Sequence, residues 1–133
     1  MMSFQSVTPK SMENYVSDWK MSPGLWSADF LFLTGMTGAG PDGTVSNDPE
    51  MQIRLAFQRG AAVLQEAGID FSSVVEMTSY HVGIQDHIDV FRRVRAEFVR
   101  EPFPAWTAIE VNGFVTPGTI CELRIVAARK GKQ

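Results

Sequence analysis

The 133-residue chain contains one cysteine, Cys121, and no apolar run that approaches the roughly 20 residues of a membrane-spanning helix. The single cysteine excludes an intrachain disulfide. Residues 1–5 lack the charged region followed by an apolar stretch that is typical of a secretory leader. We therefore expect a reducing, cytoplasmic setting and no membrane partner.

Clustered positive charge and metal-ligand spacing are also missing. The formal net charge is −3, and Lys and Arg form no block before residues 129–132, so nucleic acid is not an expected partner. The two histidines, His81 and His87, occur without an H-x-x-x-H or C-x-x-C spacing, so we expect no metal site. His81 is interpreted as a hydrogen-bonded strand residue, with a position lining a cleft as the alternative. The glycine-rich segment 35–43 lacks the lysine of a phosphate-binding loop, and no cofactor is expected.

The residues that are present predict one domain over 1–133, with 44% hydrophobic and 20% charged residues. Residues 1–29 show no sustained period and are interpreted as one or two short strands with a loop at 22–24. Asp48 as N-cap, Pro49 at the first position and Gly68 at the end delimit a helix. Its solvent-facing side is predicted to carry the polar residues Gln52, Arg54, Gln58, Arg59, Gln65 and Glu66. The remaining predicted elements are a strand at 30–35 buried on both faces, a strand at 74–82, a helix from an N-cap near Asp86 to about Arg100, and strands at 104–111 and 120–127.

This order of elements predicts an α+β fold in which two helices cover one face of a sheet. The other face would then be bare and would carry large apolar side chains. Because such patches are seldom left in water, the chain is expected to form a homo-oligomer.

Glu122 is the most unusual residue of the last predicted strand. Alternation places it on one face with Arg124 and Val126, while Cys121 faces the other way as a small apolar residue. A carboxylate on a buried strand face costs free energy unless it is paired, neutralised or functional. Two interpretations remain open, a cleft residue with general acid/base chemistry and a structural carboxylate paired with an arginine.

Five motifs in matching order resemble the YjgF/RidA family, whose members are also called L-PSP endoribonucleases. They are Ala28-Asp29-Phe30-Leu31-Phe32-Leu33-Thr34-Gly35, Pro41-Asp42-Gly43, Val63-Leu64-Gln65-Glu66-Ala67-Gly68, Val74-Val75-Glu76-Met77-Thr78 and Pro104-Ala105-Trp106-Thr107. The resemblance covers nearly the whole chain. It implies a chorismate-mutase-like α+β domain with a mixed sheet, assembled as a homotrimer with a small-molecule cleft between neighbouring subunits.

The resemblance also implies a chemistry, the cofactor-free hydrolysis of a 2-imino or 2-enamino acid to the 2-oxo acid and ammonia. Glu122 matches the glutamate that positions or activates water, and Gly35, after Thr34, matches the glycine whose backbone lines the cleft. An arginine in the P-A-R motif of active members holds the substrate carboxylate. Trp106 stands at that position in this chain.

Three other positions depart from the family pattern. Met21 stands at a tyrosine position, Ala108 at a position where some members have cysteine, and Arg92 near a cleft asparagine on the second helix. Trp106 has two interpretations, a core or trimer-interface aromatic and a cleft wall that stacks on a flat ligand. Arg92 is either a solvated helix residue or the source of the missing anion contact.

Two functions follow from these departures. The first is RidA-like deamination of a small enamine or imine, with Glu122 as the catalytic residue. The alternative is a non-catalytic, small-molecule-binding trimer that keeps the cleft without its anchor. Ribonuclease activity is disfavoured by the acidic net charge and by the lack of a basic face interleaved with aromatic residues.

Overall fold

In the computed structural model, which describes residues 3–130, the last strand, β7 (Cys121–Ala128), lies in the middle of a mixed sheet. The other strands are β1 (Gln5–Val7), β2 (Gly24–Ser27), β3 (Phe30–Leu33), β4 (Met36–Thr37), β5 (Val74–His81) and β6 (Ala105–Glu110). Their order is β1-β2-β3-β7-β5-β6, and β4 continues along β7 beyond β3. The pairing of β5 with β6 is parallel and the other pairings are antiparallel. Part of the basic stretch 129–132 and part of the segment 1–5 lie outside the described residues.

Three helices accompany the sheet, α1 (Glu13–Ser17), α2 (Pro49–Glu66) and α3 (Ile84–Phe98). The predicted start of α2 is confirmed, because the Asp48 side chain accepts a hydrogen bond of 3.1 Å from the Glu50 N–H, and Pro49 follows the cap. Gly68, just after its end, has φ +80°, a conformation that favours glycine. The N-cap of helix α3 is Gly83, at φ +67°, three residues before the predicted cap near Asp86.

Helices α2 and α3 pack on the same face of the sheet, as predicted. The buried side chains between them and the sheet include Phe57, Phe91, Leu31, Met36, Ile53, Leu64, Met77, Leu123 and Ile125. Gly60 allows the close approach of α2, since a Cβ at this position would lie 3.0 Å from the Ile125 side chain. None of the helices between residues 3 and 130 has the length and apolarity that a membrane crossing requires.

One prediction about the N-terminal third is wrong, and another is incomplete. Residues 30–33 are not buried on both faces, because Leu31 and Leu33 are buried while Phe30 and Phe32 are 47% and 41% exposed. Residues 1–29 contain helix α1 in addition to two strands. Its five residues are too few to produce a hydrophobic period that a sequence pattern can reveal.

The exposed phenylalanines belong to the sheet face opposite the helices, which we call the open face. Strand register places six apolar or aromatic side chains on it, Leu25, Phe30, Phe32, Tyr80, Ile109 and Val126. No helix among residues 3–130 covers this face. The bare face expected from the order of elements is therefore present in the single chain.

Candidate functional site

A cleft of about 680 Å³ lies where α1, β4, α2 and the loop between β6 and β7 meet. Its polar lining includes Asn14, Tyr15, Thr34, Thr37, Gln58, Arg59, Thr116, Thr119 and Glu122. Its apolar lining includes Met12, Trp19, Met21, Leu55, Phe114 and Val115. The mixture of apolar walls and a few polar groups is typical of a small-molecule site.

Glu122 projects from β7 on the open-face side, and its register partners are Thr37 on β4 and Tyr80 on β5. The carboxyl group makes no hydrogen bond or ion pair with the residues that the structure describes. Its partial burial raises the pKa of Glu122 above the ordinary value. Cys121 lies on the opposite face, as predicted, and burial raises the pKa of its thiol to about 12, so it is no nucleophile at neutral pH.

The backbone at Gly35 lies directly beside this carboxyl group. A Cβ built at position 35 would lie 2.6 Å from the Glu122 Cδ and 2.7 Å from its Oε2. Next to it, the Thr34 hydroxyl donates a hydrogen bond of 3.3 Å to the Met21 sulfur. Four residues selected from the sequence, Met21, Thr34, Gly35 and Glu122, therefore lie around one cleft.

Trp106 and Ala108 lie elsewhere in the chain. In β6 they pair with Met77 and Ser79 of β5, whose buried side chains face the helices. The Trp106 indole N–H donates a hydrogen bond of 2.9 Å to the Ser79 hydroxyl, and its ring stacks on Phe91 at 5.8 Å. Trp106 is thus a partly buried aromatic that packs on the core at the face opposite Glu122, and within the described chain it does not line the cleft.

Arg92 is exposed on α3 and makes no hydrogen bond or ion pair within residues 3–130. The residue that contacts Trp106 is Arg95, whose guanidinium carbon lies 4.2 Å from the ring centroid. The Arg95 Nε is buried with no hydrogen-bond partner in the described chain, and burial lowers the pKa of Arg95. Arg95 follows Phe91 by four residues, so both side chains lie on the same side of α3.

Arg59 is a cleft residue that was not recognised from the sequence, where it was assigned to the solvent-facing side of its helix. One nitrogen, Nη1, donates to the Thr37 carbonyl at 2.6 Å and also to the Ala39 carbonyl. Tyr15 lines the same cleft, and burial raises its pKa while the Arg59 charge opposes the shift. A positive charge thus lies in the cleft that contains Glu122.

Gln52 was also assigned to the solvent side, and that assignment is wrong, because it is 3% exposed. Its amide nitrogen donates to the carbonyls of Ser46 at 2.7 Å and Gly118 at 3.0 Å. Its amide oxygen accepts from the Ile120 N–H at 2.9 Å. The hydrogen bonds to Gly118 and Ile120 fix the loop between β6 and β7, which forms one wall of the cleft, to helix α2. The hydrogen bond to Ser46 fixes the segment that precedes α2.

His81 and His87 form a buried hydrogen-bonded pair instead of two separate residues. The His81 Nδ1 lies 3.1 Å from the His87 Nε2, and the His81 Nε2 lies 2.7 Å from the Ser79 hydroxyl. The interpretation of His81 as a hydrogen-bonded strand residue is confirmed. Burial lowers the pKa of both residues, that of His81 to about 4. In the described chain no three His, Cys, Asp or Glu side chains are placed to hold a metal ion.

Comparisons with known proteins extend these observations. The family model described as Endoribonuclease L-PSP matches residues 6–129. The RutC family protein YjgH of Escherichia coli (strain K12) is 31% identical over 123 residues, which are 92% of each chain. A solved structure of protein YJGH is 29% identical, has a TM-score of 0.85, and is matched over 96% of this chain and 98% of its own.

A structure from Mycobacterium tuberculosis is more distant in sequence. It is described as a member of the highly conserved YjgF/YER057c/UK114 family and is 23% identical, with a TM-score of 0.80. The match covers 95% of this chain and 99% of that chain. At this identity the likeness concerns the fold.

Proposed function

This chain belongs to the YjgF/RidA family, and we propose that it hydrolyses a small enamine or imine to the carbonyl compound and ammonia. The observation that carries the proposal is Glu122, an unpaired carboxyl group with a raised pKa in a cleft of ligand size. A raised pKa brings a carboxyl group closer to the values at which it exchanges protons with a substrate near neutral pH.

The reaction needs one water molecule and no cofactor. Water attacks the protonated imine. The Glu122 carboxylate accepts a proton from the water as its oxygen forms a bond to the iminium carbon and the C=N electron pair moves to nitrogen, which gives a carbinolamine. The Glu122 carboxyl then transfers this proton to the amino group and makes it a good leaving group. As the carbon–nitrogen bond breaks, the hydroxyl oxygen forms the carbonyl double bond and its proton passes to the Glu122 carboxylate, and ammonia and the carbonyl compound are released. An enamine enters the same sequence after it is protonated at carbon.

The proposal includes a homotrimer with clefts between neighbouring subunits. The exposed Phe30 and Phe32 of the open face support burial against other copies, since large apolar patches are seldom left in water. Strand β6 lies at the edge of the sheet. In a trimer, the edge strand of a neighbouring copy would bring Trp106 and Ala108 to the cleft that contains Glu122. Arg92, on α3 of the same neighbouring copy, would lie behind them. The first copy would supply Met21, Thr34, Gly35 and Glu122.

The test is the decay of imino acids generated in the assay by an amino-acid oxidase. The protein is expected to accelerate formation of the oxo acid and ammonia, and Glu122→Gln is expected to slow it by about 100-fold or more. Glu76→Gln is the matched control, because Glu76 is an exposed carboxylate on the neighbouring strand β5. No acceleration with small, branched or aromatic imino acids would refute the proposal.

A second candidate function is favoured by Trp106. The position of the motif arginine is occupied by an indole that is engaged with Ser79, Phe91 and Arg95, so the carboxylate anchor implied by the family is absent from it. A trimer that binds small molecules without turnover fits this observation. Ligand binding in the cleft without imine hydrolysis would favour this function. Ribonuclease activity is not proposed, since Arg59 is the one arginine or lysine among the described residues that line the cleft.

A further inference from the structure

The cleft contains a cation that is only partly used by the protein. Arg59 projects from the side of α2 that carries the cleft residues Leu55, Gln58 and Ala62. It does not form an ion pair with Glu122, the carboxylate that shares the cleft, or with any other described residue. A half-buried guanidinium without a counter-charge favours binding of an anion.

The hydrogen bonds of Arg59 leave one edge of the guanidinium available. A guanidinium has five N–H donors. The two on Nη1 are directed to the carbonyls of Thr37 and Ala39 and orient the group. Neither Nε nor Nη2 donates to any residue within 3–130. The Nε–Nη2 edge matches the two oxygens of a carboxylate, which it can bind with two parallel hydrogen bonds.

Thr119 is an independent sign of a ligand. It lines the same cleft, is 5% exposed, and its hydroxyl is buried without a hydrogen-bond partner among the described residues. A buried hydroxyl that is left unpaired is destabilising, because it has lost its hydrogen bonds to water. A polar ligand in the cleft would satisfy it.

A purely structural role for Arg59 accounts for fewer of these facts. Two hydrogen bonds to backbone carbonyls fix the segment between β4 and α2, but they use a single nitrogen of the side chain. The charge itself and the three donors on Nε and Nη2 have no role in that account. Binding of an anion uses all of them.

We propose that Arg59 is the anion anchor of this cleft and that it replaces the arginine absent from position 106. The ligand is a small carboxylate whose acid group contacts Nε and Nη2 of Arg59. Building on the proposed hydrolysis, the substrate class is an enamine or imine that carries this carboxylate at some distance from the reacting carbon. The separation follows because Glu122 and Arg59 share the cleft without contacting each other.

The test compares 3-phenylpropanoate with its neutral amide, 3-phenylpropanamide, in titration calorimetry of the full-length protein. The wild type is expected to bind the carboxylate at least about 10-fold more tightly than the amide. The Arg59→Gln variant is expected to bind the carboxylate about 10- to 100-fold more weakly than the wild type and to bind the amide with unchanged affinity. Arg59→Lys keeps the charge but not the planar fork, and is expected to lose part of the preference. Thermal unfolding checks that both variants fold.

Arg93→Gln is the matched control. Arg93 is an exposed arginine paired with Glu50 outside the cleft, and its replacement is expected to leave both affinities unchanged. Equal binding of the two probes by the wild type, no binding of either up to the solubility limit, or unaltered carboxylate binding by Arg59→Gln would overturn the anchor. Failure of hydrolysis is a separate result, since a protein without imine turnover but with an Arg59-dependent carboxylate preference loses the proposed function and keeps the anchor.

Discussion

Gly35 and Glu122 are so close that no side chain fits between them. A Cβ at position 35 would lie 2.6 Å from the Glu122 carboxyl carbon, well inside the contact distance of two carbon atoms. The glycine therefore defines the position of the carboxyl group in the cleft. A larger residue at position 35 would displace the carboxyl group.

Gly35→Ala is expected to lower imine hydrolysis by about 10-fold or more, because the displaced Glu122 no longer aligns water with the substrate. The free energy of unfolding should change by only about 1 kcal/mol, since the displaced atoms are the end of a flexible side chain. Turnover and urea unfolding measure the two effects. Gly113→Ala is the control, because a Cβ at Gly113 meets no atom within 4 Å. Equal activities of the two variants would contradict a role for the contact.

Glu122 gives stability a pH dependence of known sign. Burial raises its pKa above 4.5 in the folded protein, so the folded chain binds more protons than the unfolded chain as the pH rises above this value. This contribution to stability is present below pH 4.5 and is lost as the pH rises through the folded pKa. The free energy of unfolding of Glu122→Gln, taken relative to that of the wild type, should therefore be higher at pH 8 than at pH 4. The variant should also lose turnover. Parallel pH profiles of unfolding would contradict the raised pKa.

The histidine pair, His81 and His87, should give the free energy of unfolding the opposite pH dependence at mildly acidic pH. Burial lowers the pKa of His81 from 6.5 to about 4, so the unfolded chain binds a proton that the folded chain excludes. The free energy of unfolding should fall as the pH drops from about 6.5 towards 4, by about 3 kcal/mol at most from His81. Urea unfolding across this range should show a smaller slope for the double variant His81→Leu, His87→Met. An unchanged slope would contradict neutral burial of the pair.

This histidine effect is separable from the carboxylates by its pH range. Hydrogen bonds lower the pKa values of four carboxyl groups, below 3.8 for Asp42 and Asp70 and below 4.5 for Glu50 and Glu97. The donors to the two glutamates are arginine side chains. Their contributions are lost only as the pH falls below about 4.5. Loss of stability that begins near pH 6.5 is thus attributable to the imidazoles.

Ser79 connects the histidine pair to Trp106. Trp106→Phe keeps the stacking on Phe91 and removes one hydrogen bond to Ser79, so it should cost about 1 kcal/mol of stability. Ser79→Ala leaves the Trp106 N–H and the His81 Nε2 without their partner at a fully buried site, and should cost about 2–4 kcal/mol. Chemical denaturation ranks the two variants. The reverse order would show that the hydrogen bonds are not the stabilising contacts.

The open face predicts assembly. Light scattering is expected to give the mass of three chains, and Phe32→Glu is expected to weaken assembly by about 100-fold or more, because a charge would be buried against another copy. Met51→Glu is the control, since Met51 is 45% exposed, similar to Phe32 at 41%, but lies on α2 away from the open face. A monomeric wild type would contradict the trimer, and equal weakening by both variants would contradict the use of this face.

Local signals in the sequence predicted most of the fold. The cap at Asp48, the glycine at 68 and the alternation of β7 each depend on neighbouring residues, and each prediction agrees with the structure. The same alternation placed Glu122 and Cys121 on opposite faces. The family resemblance added Thr34 and Gly35, which lie in the cleft with Glu122.

What the sequence did not reveal depends on contacts between distant segments. Arg59 and Gln52 belong to the polar side of a helix by their spacing, and only the loops at 37–39 and 118–120 turn them into cleft and core residues. Trp106 was open to two interpretations because its face is set by the register of β6 against β5. The pairing of His81 with His87 likewise depends on how α3 crosses the sheet.

Helix α2 suggests a way to retarget this protein by design. One row of its residues, Leu55, Gln58, Arg59 and Ala62, lines the cleft, whereas Ile53, Phe57, Gly60 and Leu64 are buried in the core. Because the two rows occupy different sides of one rigid cylinder, a combinatorial library restricted to the first row would diversify ligand choice without repacking the interior. Gln52 keeps the loop between β6 and β7 bound to the same helix, so the backbone around the cleft would stay unchanged in such variants.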